Sequence, residues 1–275
     1  MEETNTMLNN VMVTKTVQIS PFRTLVTALK DVFVDANIEF TEHGLSLVGI
    51  DKSHTIVGSL LLEAEKFEFY KCLHKKIVIG VTMLNLFKAI NTIGSNDTLT
   101  MYISKDDYND GIVSHLTIKF ENASISQVKI QRLRLIEPDP TETTLPQSIY
   151  SSVITLPSSD FQKIVRDLTT LSNRMQIKSV GNDLIFKCTG QFVDAEVIRS
   201  ELSDSDNMKF ITKPDQSKIM QGEFSLKSLG HFIKCTSLCS QIEMNLENDL
   251  PFLVKYDVAS LGWIKLYLAQ LPDIS

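Results

Sequence analysis

The chain has 275 residues, 43% of them hydrophobic, and a formal charge of −6. That is enough apolar material for substantial cores in two domains, and on charge total alone it argues against a nucleic-acid binder. Four irregularly spaced cysteines (Cys72, Cys188, Cys235, Cys239) do not form a secreted disulfide framework, residues 1–10 lack the apolar core of a signal peptide, and the most apolar run, 77–87, is too short to cross a bilayer. The expectation is a globular intracellular protein with reduced thiols.

After a polar tail at 1–10, Val11, Val13, Val17 and Ile19 fall mainly on alternate positions, as in a half-buried strand. Ser20 as N-cap and Pro21 in the first turn predict a helix with the buried stripe Phe22, Leu25, Val26 and Leu29. Residues 37–42 and 45–50 form a hairpin around His43-Gly44, and 57–62 adds a strand. The order then recurs: a strand at 77–81, a helix capped by Thr82 with Met83, Leu86, Phe87 and Ile90 inward, and strands at 99–103 and 115–120 around the polar turn 105–111.

Segment 136–150 carries Pro138, Pro140 and Pro146. Each proline removes a backbone donor and extends the residue before it, which predicts an interdomain linker. Beyond it come a strand at 153–156, a helix capped by Ser158 or Ser159 with Phe161, Ile164, Val165 and Leu168 inward, and strands at 176–180, 184–189 and 195–202. Residues 203–217, rich in Ser, Asp and Lys, predict a mobile loop. A fourth unit follows from Gly222, with a helix from Ser225 bearing Leu229, Phe232 and Ile233 and strands at 241–246, 252–258 and 262–268.

The chain thus reads as strand-helix-strand-strand units, two on each side of the linker, which is an internal repeat. Antiparallel hairpins with one helix per unit predict an α+β fold with helices over one face of the sheets. The expected divisions are a tail at 1–10, an N-terminal domain at 11–135, the linker at 136–150 and a C-terminal domain at 151–275.

The helices carry Arg23, Lys30, Lys88, Lys163, Arg166, Lys227 and Lys234 against Asp31, Asp160 and Asp167, a balance of +4 inside a chain of −6. Arg23 and Lys30 are two turns apart and share a face, as do Lys227, His231 and Lys234. On one helix such lysines are an ordinary solvated face. Repeated on four helices of an acidic chain, they point to a polyanion.

No P-loop, dinucleotide fingerprint, His-Glu-x-x-His or Gly-x-Ser-x-Gly is present. His231, Cys235 and Cys239 are spaced i, i+4, i+8, and one helix face cannot wrap a tetrahedral ion, so packed or surface thiols are expected rather than zinc. Asp106-Asp107 and Asp204-Ser205-Asp206 lie in polar turns and read as solvated acids rather than acid-base pairs. The expectation is a protein that is not an enzyme and needs no cofactor or metal.

Four stretches carry a family resemblance: VQISPFRTLVTALKDVF (17–33), GLSLVGIDKSH (44–54), FQKIVRDL (161–168) and PFLVKYDVASLGWIKLYLA (251–269). Together, in order from Val11 to Pro272, they resemble the proliferating cell nuclear antigen family of DNA sliding clamps. The resemblance implies a polymerase processivity factor: a ring of three identical subunits around duplex DNA, lined by the basic helix residues, with sheets outside. It implies further partners, among them DNA polymerase, a clamp loader and other proteins carrying a short clamp-binding peptide. That peptide would sit in a groove at Ile50, His54, Leu145, Pro146, Tyr150, Pro251, Tyr267, Leu268 and Ala269. Gln270 stands where the family usually has proline. The polar tail, the 203–217 segment and the 105–111 turn depart from the family pattern and suggest a divergent member, of the kind a virus encodes. Localisation would be nuclear, or a cytoplasmic viral replication site in that case. A monomeric clamp-like accessory factor and a subunit of the heterotrimeric checkpoint clamp are the alternatives. Edge-to-edge assembly would pair residues 114–122 of one copy with 194–203 of the next.

Overall fold

The computed structural model describes residues 9–94, 96–141, 143, 145, 148–202, 207–215 and 218–272. The described residues form four repeats. The first runs β1 (Asn10–Thr16), α1 (Ile19–Val32), β2 (Asp35–Thr41), β3 (Gly44–Ile50), β4 (Ile56–Glu63) and a short β5 (Phe69–Cys72). The second runs β6 (Ile77–Thr82), α2 (Met83–Ile90), β7 (Thr98–Ser104), the small hairpin β8 (Tyr108–Asn109) and β9 (Ile112–Val113), then β10 (His115–Asn122) and β11 (Gln127–Arg134). The third is β12 (Ser152–Pro157), α3 (Ser158–Thr169), β13 (Arg174–Val180), β14 (Asp183–Thr189), β15 (Asp194–Ser200) and β16 (Lys209–Thr212). The fourth is β17 (Met220–Ser225), α4 (Leu226–Phe232), β18 (Gln241–Leu246), β19 (Phe252–Val258) and β20 (Gly262–Leu268). Each repeat is therefore a strand, a helix and three main strands.

The chain forms two compact units. One takes in the described residues up to Lys52, those of 59–144 and Val258–Ile264; the other takes in Ser53–Gly58, the described residues of 145–257 and those from Lys265 onward. In the first unit the strands run β11-β10-β7-β1-β5 and β4-β3-β2-β6. Its core forms where Phe22 and Leu25 of α1 and Leu86 of α2 meet Phe40, Leu47 and Met101 of the sheets. In the second unit the strands run β15-β14-β13-β17 and β16-β12-β18-β19-β20. There Phe161 of α3 lies 6.4 Å from Phe186 and 6.5 Å from Phe252, and Phe224 lies 5.2 Å from Phe252. These tilted aromatic contacts bury large apolar area and fix the helix against the sheets.

Several expectations change. Ser20 is not a cap: the helix begins at Ile19, which is buried at 2% exposure in the core instead of continuing a strand. Ser158 is already helical, and its hydroxyl turns to the Cys239 carbonyl at 2.6 Å. Ser225 does cap α4, accepting from the Ser228 amide at 3.2 Å. The predicted loop 203–217 contains β16, which pairs with β12; residues 203–206 and 216–217 lie outside the described residues.

The expected free edge at residues 114–122 changes as well. β10 has a neighbour on both sides, β7 and β11, so residues 114–122 offer no free edge. The end strands of that sheet are β11 and β5, and β15 lies at the end of its own sheet.

The linker is fastened at its start. Ile136 bridges Gly80 of β6, donating its amide to the Gly80 carbonyl at 3.0 Å. Asn37 and Asp139 exchange two hydrogen bonds, 2.7 and 3.0 Å, with the Asp139 backbone. Gly80 is needed there because a Cβ would come within 2.6 Å of the Ile136 carbonyl oxygen.

Candidate functional site

In each unit the apolar stripe of a helix enters the core and its opposite side faces outward. On α3, Phe161, Ile164, Val165 and Leu168 are buried, while Lys163 and Arg166 are exposed. Lys88 on α2 and Lys227 on α4 are likewise exposed. Lys234 is exposed too, on the 3-10 segment Ile233–Leu238 that continues α4. Arg23 and Lys30 of the basic set are only half-exposed. Arg23 is half-buried and reaches the Ile93 carbonyl at 3.5 Å, a long contact. Lys30 is 2.7 Å from the Asp31 carboxylate and 4.6 Å above the centre of the Phe87 ring, so it ties α1 to α2. The exposed set is Lys88, Lys163, Arg166, Lys227 and Lys234.

Most of the groove residues fall in the second unit, where backbone bonds gather them. The Ala269 amide donates to the Thr55 carbonyl at 2.9 Å, which sets the C-terminal segment beside His54. The Tyr150 hydroxyl donates to the Pro251 carbonyl at 2.9 Å, and burial beside Tyr267 pushes its phenol up to about 12. Gln270 donates to the Leu250 carbonyl at 2.9 Å, and its side chain lies against Gly222; a proline could not make that bond. His54 is exposed with φ 56°, a conformation that costs energy in a residue with a Cβ and that recurs at functional sites. Leu145 and Pro251 are half-buried, whereas Tyr267 and Leu268 are buried and act as backing beneath the surface. Ile50 is 38% exposed at the end of β3 in the first unit. Pro146 lies outside the described residues. Ile149, at 93% exposure in the linker, is an apolar residue that no sequence pattern singles out.

The acids of the 105–111 turn are not equivalent. Asp107 is buried and gathers the hydroxyls of Ser104 (2.7 Å) and Ser114 (3.0 Å), Arg132 of β11 (2.6 Å) and the His115 ring (3.2 Å). Burial alone would raise its pKa, but the hydrogen bonds from Ser104, Ser114 and Arg132 together outweigh it and hold the carboxyl below its ordinary value. A depressed carboxyl stabilises the fold above the unfolded pKa of about 4 and loses that contribution as pH falls through the folded value. Asp107→Asn is expected to cost about 1–3 kcal/mol near neutral pH. Urea midpoints should show this gap closing below about pH 4; a gap that persists in acid would mean the charge is not its source. Asp204 and Asp206 lie outside the described residues.

His231, Cys235 and Cys239 do not share one α-helical face, because α4 stops at Phe232. Among the described residues no group of three His, Cys, Asp or Glu is placed to hold a metal ion. Burial raises all four thiols, Cys235 to about 12. No helix among the described residues is long and apolar enough to cross a membrane.

Two units of repeated construction, each with antiparallel sheets and two helices, define a two-domain clamp. A family model described as "Proliferating cell nuclear antigen, N-terminal domain" matches residues 11–142, and its C-terminal counterpart matches 144–271. A protein of Chaetomium thermophilum named "Proliferating cell nuclear antigen" is 28% identical over 252 residues, covering 92% of this chain and 95% of its own. The chain belongs to the proliferating cell nuclear antigen family of sliding clamps.

Proposed function

We propose that the chain is a polymerase processivity factor that closes around duplex DNA as a homotrimer and holds replication and repair proteins by a short-peptide groove beside its linker. The observation that carries this reading is the segregation of charge. Exposed Lys88, Lys163, Arg166, Lys227 and Lys234 stand on the helical elements of a chain whose total is −6. Flexible cationic ends meet phosphates without reading bases, which is what a sliding protein requires. Such a protein works where DNA is replicated.

Mass in solution and retention on DNA test it together. A trimer of 31.0 kDa chains runs near 93 kDa. Once loaded, a closed ring stays on circular duplex and slides off a linear one. Equal retention on both forms would refute encirclement.

The groove has its own test. A peptide with an aliphatic residue and paired aromatics should bind with micromolar affinity, as expected of a segment that orders on binding. Leu145→Ala combined with Tyr267→Ala should weaken it at least about tenfold, since each truncation removes apolar contact or its backing. Binding and processivity that survive the double change would place the peptide site elsewhere.

A further inference from the structure

The turn that joins β18 to β19 is poorly closed by its own backbone. The bond from the Leu250 amide to the Glu247 carbonyl is long at 3.4 Å, and Asp249 sits at φ 62°, where a residue with a Cβ is strained. Neighbouring segments fix it instead. Asn248 accepts from the Gln221 amide at 2.8 Å and donates to the Ile219 carbonyl at 3.0 Å, which ties the turn to the start of β17. Two consecutive carbonyls then take side-chain donors. Leu250 accepts from the Gln270 amide at 2.9 Å, and Pro251 accepts from the Tyr150 hydroxyl at 2.9 Å. The Gln270 amide also reaches the Glu247 carbonyl at 3.4 Å; a primary amide has two N–H groups, one for each end of the turn.

The end of the linker hangs on the same turn. Besides the Tyr150 bond to Pro251, the Ser151 amide donates to the Glu247 carboxylate at 2.7 Å. Whatever positions residues 247–251 therefore positions Pro251 and Tyr150 as well. We propose that Gln270 is a positioning residue of the peptide groove: its side-chain amide sets this turn from the C-terminal segment, and through the turn it sets the Pro251 and Tyr150 walls. This rests on the reading that the partner peptide sits beside the linker.

The C-terminal segment is a firm support for such a role. The Ala269 amide donates to the Thr55 carbonyl at 2.9 Å and the Leu271 amide to the Glu223 carbonyl at 2.8 Å, so the backbone is fixed on both sides of Gln270. Gly222 supplies the space for its side chain, since a Cβ there would come 2.9 Å from the Gln270 Cδ and 2.6 Å from the Phe224 Cζ. A groove whose walls are already in place binds more tightly, because the peptide does not have to order them.

Substituting Gln270 in the full chain tests the role. Gln270→Met keeps the length and drops both donors, whereas Gln270→Glu keeps the size and turns an oxygen toward the two carbonyls. With the peptide of an aliphatic residue and paired aromatics as probe, the first should weaken binding about three- to tenfold and the second at least about tenfold, through faster dissociation rather than slower association. A residue that only stabilises the fold would lower the melting temperature and leave the affinity of the folded chain unchanged; that result overturns the proposal. Tyr150→Phe should weaken binding by a similar factor. Combined with Gln270→Met it should add little to the larger single loss, because each change frees the same turn. Losses that multiply would mean two independent contacts and overturn the shared support. The Leu145→Ala, Tyr267→Ala variant separates the two readings. If it loses the peptide while Gln270→Met keeps it, the groove stands and the positioning role falls. If both keep it, the groove reading falls and this one with it.

Discussion

Replacing Lys163 and Arg166 together by glutamate is expected to lower the affinity for duplex DNA by about ten- to hundredfold at moderate salt while leaving the native mass unchanged. Both side chains are exposed on α3 and neither supports the core. Removing each phosphate interaction should also flatten the dependence of log affinity on log salt by about 0.9. The loss should be uniform across sequences, because phosphate contacts carry no base information. Lys30→Glu is the instructive contrast. Its ammonium already sits against Asp31 and over the Phe87 ring, so it has few counterions to release. Reversing it should lower thermal stability more than it changes the salt slope. An unaltered affinity in the Lys163, Arg166 variant would remove α3 from the DNA face.

Gly44→Ala is expected to leave little folded protein. Gly44 opens β3 at φ +142°, where a side chain is strained, and an added Cβ would lie 2.1 Å from the Leu62 carbonyl oxygen and 2.9 Å from the Ala64 nitrogen. Both are backbone atoms held by the sheet, so neither yields as a flexible side chain would. The Gly44 carbonyl also accepts from the Tyr70 hydroxyl at 2.7 Å, which pins the turn from a second side. The cost should be several kcal/mol, comparable with the roughly 5–15 kcal/mol that holds a domain together. Gly111→Ala is the control: φ there is +87°, but nothing lies within 4 Å of the added carbon. It should cost about 1 kcal/mol. Urea midpoints of the two variants that fell close together would refute the argument from backbone approach.

What can be read from the chain follows the direction in which information is stored. Helix stripes such as Phe161, Ile164, Val165 and Leu168 are local and periodic, so they are legible. β11 is not. Its sequence QVKIQRLR turns Val128 and Ile130 outward and sets polar Lys129 and Gln131 toward the helix side, so no inward alternation marks it. The repeat itself holds the missing signal: the first, third and fourth units each show a third strand after the helix in their sequence pattern, and the second shows only two. β16 is hidden by its polar surroundings.

The site divides similarly. The exposed lysines follow from lying opposite the stripes, but the burial of Lys30 depends on Phe87, fifty-seven positions away. Asp107 reads as solvated in the sequence because Arg132, its long-range partner, sits on the strand that the pattern hides. The bond from Gln270 to Leu250 likewise exists only once distant segments meet.

Cys188 and Cys235 are buried and Cys72 and Cys239 half-buried. The thiolate is the nucleophile, and at neutral pH a group near 12, as at Cys235, is ionised only on the order of once in 10⁵ molecules. Cys72, Cys188 and Cys239 are shifted the same way by burial. Toward maleimides and disulfide exchange the native chain should therefore react slowly, even though it contains four sulfhydryls. A single cysteine introduced at an exposed surface position then becomes the preferred point of attachment, so a fluorophore can be placed without first stripping out the natural thiols.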